Sequence, residues 1–450
     1  MTLFRVEYRY MVNILLLINL LLCFYILIKK YLLVKKVKLD HVFLFIIGFI
    51  FYWLLPIAIG ENNLFHHYPM MNTWYNYYQN ISEENKVYYL LTCSAVIVTF
   101  LISDYLCNKS LIKNLKYYKS KTELYVSRKI LSFFLYFTFL IYVLYLLKIK
   151  DKLFTGYTLE YSIDDRGFLI GLSYVILAIC FIYTTKNDLD KNFINRSLGL
   201  KIFYNKYFFI YFISSLFILS LGTRLYFISS VFMLLSYITT YHSGLSKGKL
   251  FFSIIVLILF MSIVGILRFG STEFSFENIM YVFLGESLYT GFSLLSFIAL
   301  DFLSIINLPT SLFSQFINLI PTFLLPNKLE YIIDFNDMGY HIYAPLGALN
   351  SFVSLNINFG ILGTICFIIV FVILLNIVKN LGQLNSFYRV IYVFINGAIP
   401  FSFFRDPFSI SIVKLIFQYS LLLPVILVLI VHVISIVLLK NRVINISLKG

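Results

Sequence analysis

The amino-acid sequence predicts an all-α, polytopic transmembrane helical bundle, and three observations lead to that prediction. Sixty per cent of the 450 residues are hydrophobic and 13% are charged, whereas an average soluble domain has about 25% charged residues. The hydrophobic residues occur in blocks as long as a helix that crosses about 30 Å of hydrocarbon. Basic residues lie mainly in the short loops between these blocks. Together these features predict about 11 to 13 spans.

The predicted spans follow one another along the whole chain. Eleven apolar blocks lie at 11–28, 42–60, 87–106, 130–147, 168–185, 207–222, 225–241, 250–267, 351–378, 390–404 and 408–438. The stretch 280–320 is also apolar, but Asp301 and Pro309 interrupt it. We expect it to form either a pair of spans or a pair of helices lying partly outside the membrane. Because no insertion as large as a soluble domain separates the blocks, residues 1–450 are predicted to form a single integral membrane domain.

The loop charges predict the direction in which the chain crosses the membrane. Loops 29–41 and 107–129 are rich in lysine, and short basic loops of this kind stay in the cytoplasm. Alternation from these loops places the N-terminus outside the membrane and the C-terminus in the cytoplasm. The long stretch 321–350, between two late spans, is then an extracytoplasmic loop.

Several classes of function are disfavoured by the sequence. The net charge of +15 does not predict a nucleic-acid partner, because basic loops in a multi-pass protein record its orientation. The nucleotide-binding, metalloprotease and hydrolase motifs GxGxxG, GxxxxGK[ST], HExxH and GxSxG do not occur in the sequence. His66 and His67 have no third ligand nearby in sequence, and the acidic pair Asp164–Asp165 remains a minor alternative for a metal site. We therefore expect neither a metal nor a cofactor.

Arginine stands at three predicted outward span ends, although lysine is the commoner basic residue in this chain. These residues are Arg224, Arg268 and Arg405. A planar guanidinium group matches pairs of phosphate oxygens, whereas lysine is a flexible point charge. Any one of the three could equally be an arginine that snorkels from a helix end to the interface. As a set they predict a site that binds pyrophosphate.

Two charged residues are predicted to lie inside apolar stretches, namely Glu286 and Lys414. An uncompensated charge at membrane depth is costly, so each must face protein, water or the other residue. A structural Glu286–Lys414 ion pair and a catalytic role for Glu286 both remain open.

The sequence FRDP, at residues 404–407, predicts the start of the last helix on the outward side. Proline is tolerated in the first turn of a helix, and the positive end of the helix dipole would help Arg405 to attract an anion. Asp406 is a candidate catalytic carboxylate, and it could also act simply as a helix cap.

The outward loop 321–350 is polar and long enough to form a lid or a substrate groove. His341 is the only histidine in this loop. It is a candidate general base or phosphate contact, although a lone loop histidine is more often an ordinary surface residue.

The order of these features resembles the O-antigen and capsule polymerase family of polytopic bacterial enzymes. The resemblance covers roughly residues 200–425 and lies in the arrangement of motifs rather than in one diagnostic motif. The motifs are SLGTRL (220–225), LRFG (267–270), LIPTFLLPNK (319–328), SLNINFGILGT (354–364) and FRDPFSISIVKLIFQYSLLLP (404–424). The resemblance implies a glycosyltransferase-C-like fold in the bacterial cytoplasmic membrane.

The resemblance also implies a reaction at the outer face of that membrane. Undecaprenyl-pyrophosphate-linked oligosaccharide repeat units would be polymerised into O-antigen or capsular polysaccharide, in cooperation with a flippase and a chain-length regulator. Arg224, Arg268 and Arg405 would then bind the pyrophosphate, and Glu286, Asp406 or His341 would accept the proton from the acceptor hydroxyl.

Two other functions remain open at this stage. An O-antigen-type ligase would transfer finished glycan to a lipid acceptor, and the related ligases have a histidine in the long loop, as here. A lipid-linked oligosaccharide flippase or transporter is the third reading, although such folds usually show internal repeats and charges near the membrane midplane.

Overall fold

The chain folds almost entirely into helices. The computed structural model describes residues 2–64, 66–115, 126–150, 163–190, 206–220, 224–241, 245–268, 275–300, 302–309, 311–320, 324–333, 335, 338–345 and 349–447. Nine helices in this part of the chain are long and apolar enough to cross a membrane. The chain is thus an all-α, multi-pass membrane protein, as its composition predicts.

The helices are named in chain order. They are α1 (Thr2–Leu27), α2 (His41–Phe49), α3 (Leu55–Asn62), α4 (Pro69–Asn80), α5 (Glu83–Leu115), α6 (Arg128–Lys148), α7 (Ile163–Asp190), α8 (Lys206–Ser220), α9 (Arg224–Tyr241), α10 (Lys247–Arg268), α11 (Phe276–Ala299), α12 (Leu312–Gln315), α13 (Ser351–Leu384), α14 (Ser386–Ser402) and α15 (Leu423–Ser447). Three π-helical segments continue α1, join α2 to α3 and precede α15, at Ile28–Leu32, Ile50–Leu54 and Ser409–Leu422. Single 3₁₀ turns lie at Phe316–Leu319 and Lys328–Tyr331.

The predicted spans correspond to helices, with one correction. The blocks at 207–222, 225–241 and 390–404 correspond to α8, α9 and α14, which fall outside the nine candidate spans. The stretch 280–320 forms neither of the expected helix pairs. Its described residues form the single long helix α11, no helix at 302–309, and then the short α12. Pro309 disfavours helix at its own position and at the residue before it.

Two compact units make up the chain, and each combines three separate stretches. Unit 1 comprises Met1–Lys109, Gly244–Leu375 and Ala398–Leu415, and unit 2 comprises Ser110–Ser243, Asn376–Gly397 and Ile416–Gly450.

In unit 1, a short sheet ties together the starts of two helices. Strands β1 (Lys36–Val37) and β2 (Leu245–Ser246) pair antiparallel, immediately before α2 and α10. Asp40 caps α2, since its carboxylate accepts a hydrogen bond from the Phe43 amide at 3.2 Å. Helices α2 and α10 therefore begin at the same place in the unit.

The far end of α11 packs beside the ends of α3 and α4. The Tyr78 hydroxyl of α4 donates to Glu61 of α3 at 2.7 Å. The rings of Tyr77 and Phe292 are 5.2 Å apart, and Ser296 accepts a hydrogen bond from the Tyr343 amide at 3.1 Å. The end of α11 thus lies near the C-terminal end of α3, away from the β1–β2 sheet.

Helix α13 is interrupted at Gly360. The backbone there has φ of 71° and ψ of −176°, a conformation that glycine adopts without a Cβ penalty. The segment that follows α11 fills the break, because the amides of Ile361 and Leu362 donate to the carbonyls of Ser304 and Ile305 at 2.9 and 3.2 Å. The first part of α13, residues 351–359, is consequently a short helix of its own.

Asn358 closes this junction. Its side-chain oxygen accepts hydrogen bonds from the backbone amides of Ser311 and Leu312 at 3.0 and 2.8 Å, and its amide group donates to the Ser354 carbonyl at 2.8 Å. The NFG sequence at 358–360 therefore joins the broken helix to the segment between α11 and α12.

Unit 2 has a core of aromatic and small polar side chains. Asn396 of α14 donates to the Ser236 hydroxyl of α9 at 2.5 Å. The buried Arg389 donates to the Gly382 carbonyl at 2.9 Å, and its guanidinium carbon lies 4.7 Å from the centre of the Tyr241 ring. These contacts link α9, α13 and α14.

Candidate functional site

Three of the charged residues singled out in the sequence form an ionic cluster in unit 1. Arg405 Nε lies 2.9 Å from Glu286 Oε2, and Arg405 Nη1 lies 3.9 Å from Asp406 Oδ2. The Arg405 and Glu286 side chains are 27% and 22% exposed. The cluster is therefore partly accessible to solvent. We call Glu286, Arg405 and Asp406 the charged triad.

The turn between α14 and the last helical segment positions two members of the triad. The Arg405 amide donates to the Phe401 carbonyl at 2.8 Å, which ends α14, and the Pro407 carbonyl accepts from the amides of Ile410 and Ser411. Asp406 and Pro407 thus lie just before the last helical segment, which begins at Ser409. FRDP therefore marks a helix start, and its outward side remains a prediction. The hydroxyl of Ser351, at the start of α13, donates to the Asp406 carbonyl at 2.9 Å.

Glu286 reaches the triad from the middle of α11, and two small hydroxyl residues fix that helix. Ser287 donates to the Phe51 carbonyl at 2.5 Å and Thr290 to the Tyr52 carbonyl at 3.2 Å. Both carbonyls belong to the π-helical segment Ile50–Leu54, where the backbone hydrogen-bond pattern is altered. Irregular backbone in one helix therefore anchors the helix that carries Glu286.

The environment of the triad changes the proton affinity of Asp406. Burial raises the pKa of this carboxyl group above its ordinary value of 3.8, Arg405 opposes the shift, and Glu286 adds to it. For Arg405, burial would lower the pKa, but the charges of Glu286 and Asp406 outweigh burial and raise it. Arg405 therefore stays positively charged, while Asp406 holds a proton more readily than an exposed aspartate.

Buried polar atoms without hydrogen-bond partners surround the start of α13. Among the described residues, this holds for Asp406 Oδ2, for the Asn350 amide nitrogen and for both side-chain polar atoms of Asn356. Asn350 and Asn356 are 0% exposed. Buried polar groups are nearly always satisfied in native proteins, so this group marks a polar interior beside the triad. The signal for this group in the sequence is the presence of asparagines at the start of an apolar span.

The structure pairs Glu286 with Arg405 rather than with Lys414. Lys414 lies in the π-helical segment before α15, and no ion pair joins it to Glu286. The structural Glu286–Lys414 ion pair considered from the sequence is therefore replaced by a Glu286–Arg405 pair.

The other predicted site residues have different positions. His341 is exposed and lies in unit 1. Arg224 is the first residue of α9 in unit 2. Arg268 ends α10, and its side chain lies outside the described residues, as do those of Asp164 and Asp165 and parts of the loop 321–350. The predicted grouping of three arginines thus remains a prediction.

The fold and the triad define a class: a multi-pass, all-α membrane protein with a partly accessible ionic cluster inside a helical unit. No family model, characterised protein or solved structure matches the chain. The resemblance to the O-antigen and capsule polymerase family is therefore a feature of the sequence alone, and the family remains a prediction.

Proposed function

We propose that this protein is a glycosyltransferase that polymerises undecaprenyl-pyrophosphate-linked oligosaccharide repeat units at the outer face of a bacterial cytoplasmic membrane. The observation that carries the proposal is the charged triad. It combines a permanent cation with two carboxylates at a partly accessible position within an apolar helical unit. Ionisable groups at membrane depth usually serve a substrate pathway or a reaction.

The reaction needs the groups that the triad provides. The acceptor hydroxyl attacks the anomeric carbon of the donor glycan, and the bond from that carbon to the pyrophosphate oxygen breaks. The bonding electrons leave with the pyrophosphate, where a guanidinium group stabilises the growing negative charge. A carboxylate accepts the proton of the acceptor hydroxyl. The leaving group is already activated, so the scheme requires no metal.

The geometry favours a division of roles within the triad. Glu286 is the closer partner of Arg405, at 2.9 Å, and this contact orients the guanidinium group. The raised pKa of Asp406 brings this carboxyl group nearer to the operating pH at which a general base is most effective. We therefore assign proton transfer to Asp406 and positioning of Arg405 to Glu286. His341 remains the alternative base.

Arg405 cannot carry the pyrophosphate alone in this scheme. Its charge is opposed by two carboxylates, so the proposed site needs further cations when substrate is bound. Arg224 and Arg268 are proposed to supply them, as the resemblance implies. Cooperation with a flippase and a chain-length regulator belongs to the same proposal.

The two alternative functions give different products. Loss of a polymerase leaves single repeat units on the final acceptor, whereas loss of a ligase leaves polymer on its lipid carrier. Loss of a flippase leaves repeat units on the cytoplasmic side. Arginine substitutions that shorten the glycan without trapping its precursor inside the cell would favour the polymerase.

The test in cells replaces each arginine with alanine and with lysine and follows glycan chain length on gels, at equal protein abundance. We expect R405A to lower polymerisation about 100-fold, the scale on which one donor to a developing oxyanion acts, and R405K to retain more activity. R128A changes an exposed arginine at the start of α6 and is the matched control. Polymer of normal length from R224A, R268A and R405A would rule out the proposed chemistry.

A further inference from the structure

The chain that follows α11 in unit 1 is apolar and mostly not helical. Residues 302–327 contain no charged residue. We call the described residues 302–309 and 311–320 the linking segment; its helical parts are α12 and the 3₁₀ turn Phe316–Leu319. Four of its large apolar side chains are 68–82% exposed, namely Ile305, Ile306, Leu308 and Phe313. A concentrated apolar surface of this kind normally marks contact with a protein or a membrane.

Hydrogen bonds hold the linking segment against the break in α13. The carbonyls of Ser304 and Ile305 accept hydrogen bonds from the two amides that follow the break. The side-chain amide of Asn307 donates to the Ile357 carbonyl at 3.1 Å. The backbone of Ile305 is therefore in direct contact with that of Leu362, to which its carbonyl is bonded at 3.2 Å.

The exposed face of α13 continues from this contact. Its exposed residues Leu362, Cys366, Val370 and Leu374 are spaced four apart, so they lie on one side of the helix. Helix α13 is a candidate membrane span, and an exposed apolar face on such a helix contacts lipid acyl chains. Leu362 and Ile305 thus join the exposed side chains of the linking segment to a lipid-facing surface.

The depth of the linking segment follows from the position of the break. Residues 361–378 contain no charge and are long enough to cross the hydrocarbon by themselves, so the break lies at one end of the span. Non-helical backbone is tolerated near lipid only where its polar groups are paired. The amides of Ser311 and Leu312 meet this condition through Asn358. These facts favour a shallow position, at the boundary between headgroups and acyl chains.

We infer that the linking segment is a membrane-dipping loop, whose exposed apolar side chains insert into one leaflet and contact phospholipid acyl chains. The leaflet is the outward one if the orientation predicted from the loop charges holds. Insertion of this kind reaches about 5–10 Å into the boundary region. The inference goes beyond the proposed function and does not depend on it, because it rests on exposure, hydrogen bonding and charge.

The loop also borders the turn that carries part of the charged triad. Phe316 of the linking segment and Phe408, two residues after Asp406, have ring centres 6.3 Å apart. The proposed loop therefore forms a wall between the bilayer and this turn.

The test measures collision rates of nitroxide labels in the purified full-length protein, reconstituted in phosphatidylcholine vesicles. Labels at I306C and L308C are compared with V370C on the lipid-facing side of α13 and with E330C on the exposed 3₁₀ turn. The background is C366S, because Cys366 is the exposed cysteine among those described. Oxygen concentrates in hydrocarbon, whereas a nickel chelate stays in water. We expect I306C and L308C to favour oxygen over nickel, as V370C does, with a ratio that indicates a shallower depth.

Two results would overturn the inference. Nickel collision rates at I306C and L308C as high as those at E330C would show that the surface faces water. Low rates with both reagents would show that protein covers it, for example a second copy of the chain.

Tryptophan fluorescence provides a second measurement that needs no label. L308W should be quenched by phosphatidylcholine with brominated acyl chains more strongly than the wild type, whose Trp53 and Trp74 are buried. Equal quenching of the two proteins would contradict insertion. Neither measurement requires turnover, so an inactive protein with an inserted loop would refute the polymerase and leave the membrane-dipping loop standing.

Discussion

At the residue scale, the triad explains how charges are accommodated within an apolar unit. The sequence singles out Glu286, Arg405 and Asp406 as chemically unusual, and the structure brings these three together. The partner of Glu286 could not be predicted, because it depends on how α11 packs against the turn after α14. The sequence alone predicts Lys414 as a partner of Glu286 equally well.

The first residue-scale prediction concerns coupling between Glu286 and Arg405. Each of E286Q and R405Q should lower the free energy of unfolding by about 1–3 kcal/mol, because each removes one side of a partly buried ion pair. The double variant should lose less than the sum of the two losses. Chemical unfolding in mixed micelles measures all four proteins, and strictly additive losses would show that the 2.9 Å contact contributes nothing.

The second residue-scale prediction concerns pH. The pKa of Asp406 is raised above 3.8 in the folded protein, mainly by burial, so the folded state binds more protons than the unfolded state. The contribution of Asp406 to stability is therefore fully present below about pH 4 and is lost as the pH rises through the folded pKa.

D406N stays neutral and lacks this dependence. The melting temperature of wild type minus that of D406N should fall as the pH rises from 4 to about 8. E330Q neutralises an exposed carboxylate of the long loop and is the control. A difference that stays constant or increases with pH would show that burial of Asp406 does not disfavour its charge.

At the element scale, helices were easier to predict than their interruptions. Apolar length is a property of local sequence, so the spans could be placed directly. The break in α13 depends on a tertiary contact, because the backbone of Ser304 and Ile305 occupies the space beside Gly360. The NFG sequence at 358–360 does not by itself predict the break in α13. The break depends on the backbone of the segment after α11.

Replacing Gly360 tests the role of the break. In G360A a Cβ atom would lie 2.5 Å from the Ile305 carbonyl oxygen, at a residue with positive φ. We expect a loss of more than about 2 kcal/mol in the free energy of unfolding, from backbone strain and the steric conflict. G248A adds a methyl group within α10 where nothing lies within 4 Å, and it should be neutral or stabilising. Equal stability of the two variants would mean that the break is not required.

The length and composition of helix α11 make it a candidate span. The contacts at its C-terminal end favour a different arrangement in the membrane. Helices α2 and α10 begin together at the β1–β2 sheet, so α3, which continues α2, and α10 end on the same opposite face. The last turns of α11 pack with α4 and the long loop near the end of α3. We therefore predict that α11 enters the membrane without crossing it.

Cysteine labelling tests this prediction. Leu300, just after α11, is exposed. L300C should react with a membrane-impermeant reagent from the same side as Q79C in α4, and from the opposite side to K38C beside β1. The background is C366S, which removes the exposed cysteine. Labelling of L300C together with K38C would make α11 a true span.

At the scale of the whole molecule, composition predicts the structural class of the protein. It does not predict how the charged residues are grouped into a site. The apolar blocks predicted an all-α, multi-pass protein, and the structure agrees. If α11 does not cross and α8, α9 and α14 do, the described residues contain eleven crossings. The outward N-terminus and the cytoplasmic C-terminus remain predictions from the loop charges.

The proposed reaction depends on the whole chain. Arg405, Glu286 and Asp406 belong to unit 1, and Arg224 belongs to unit 2. Sequence could nominate these residues because charge is rare in apolar blocks. It could not establish how they are grouped, since that depends on packing between helices distant in the chain.

The most direct measurement is polymerisation by the purified protein in nanodiscs, supplied with undecaprenyl-pyrophosphate-linked repeat units and assayed for glycan length and released undecaprenyl pyrophosphate. The account predicts one carrier released for each linkage formed by the wild type. It predicts a rate about 100-fold lower in R405A and an unchanged rate in R128A. Linkage formation by R405A at the wild-type rate, or none by the folded wild-type protein, would contradict it.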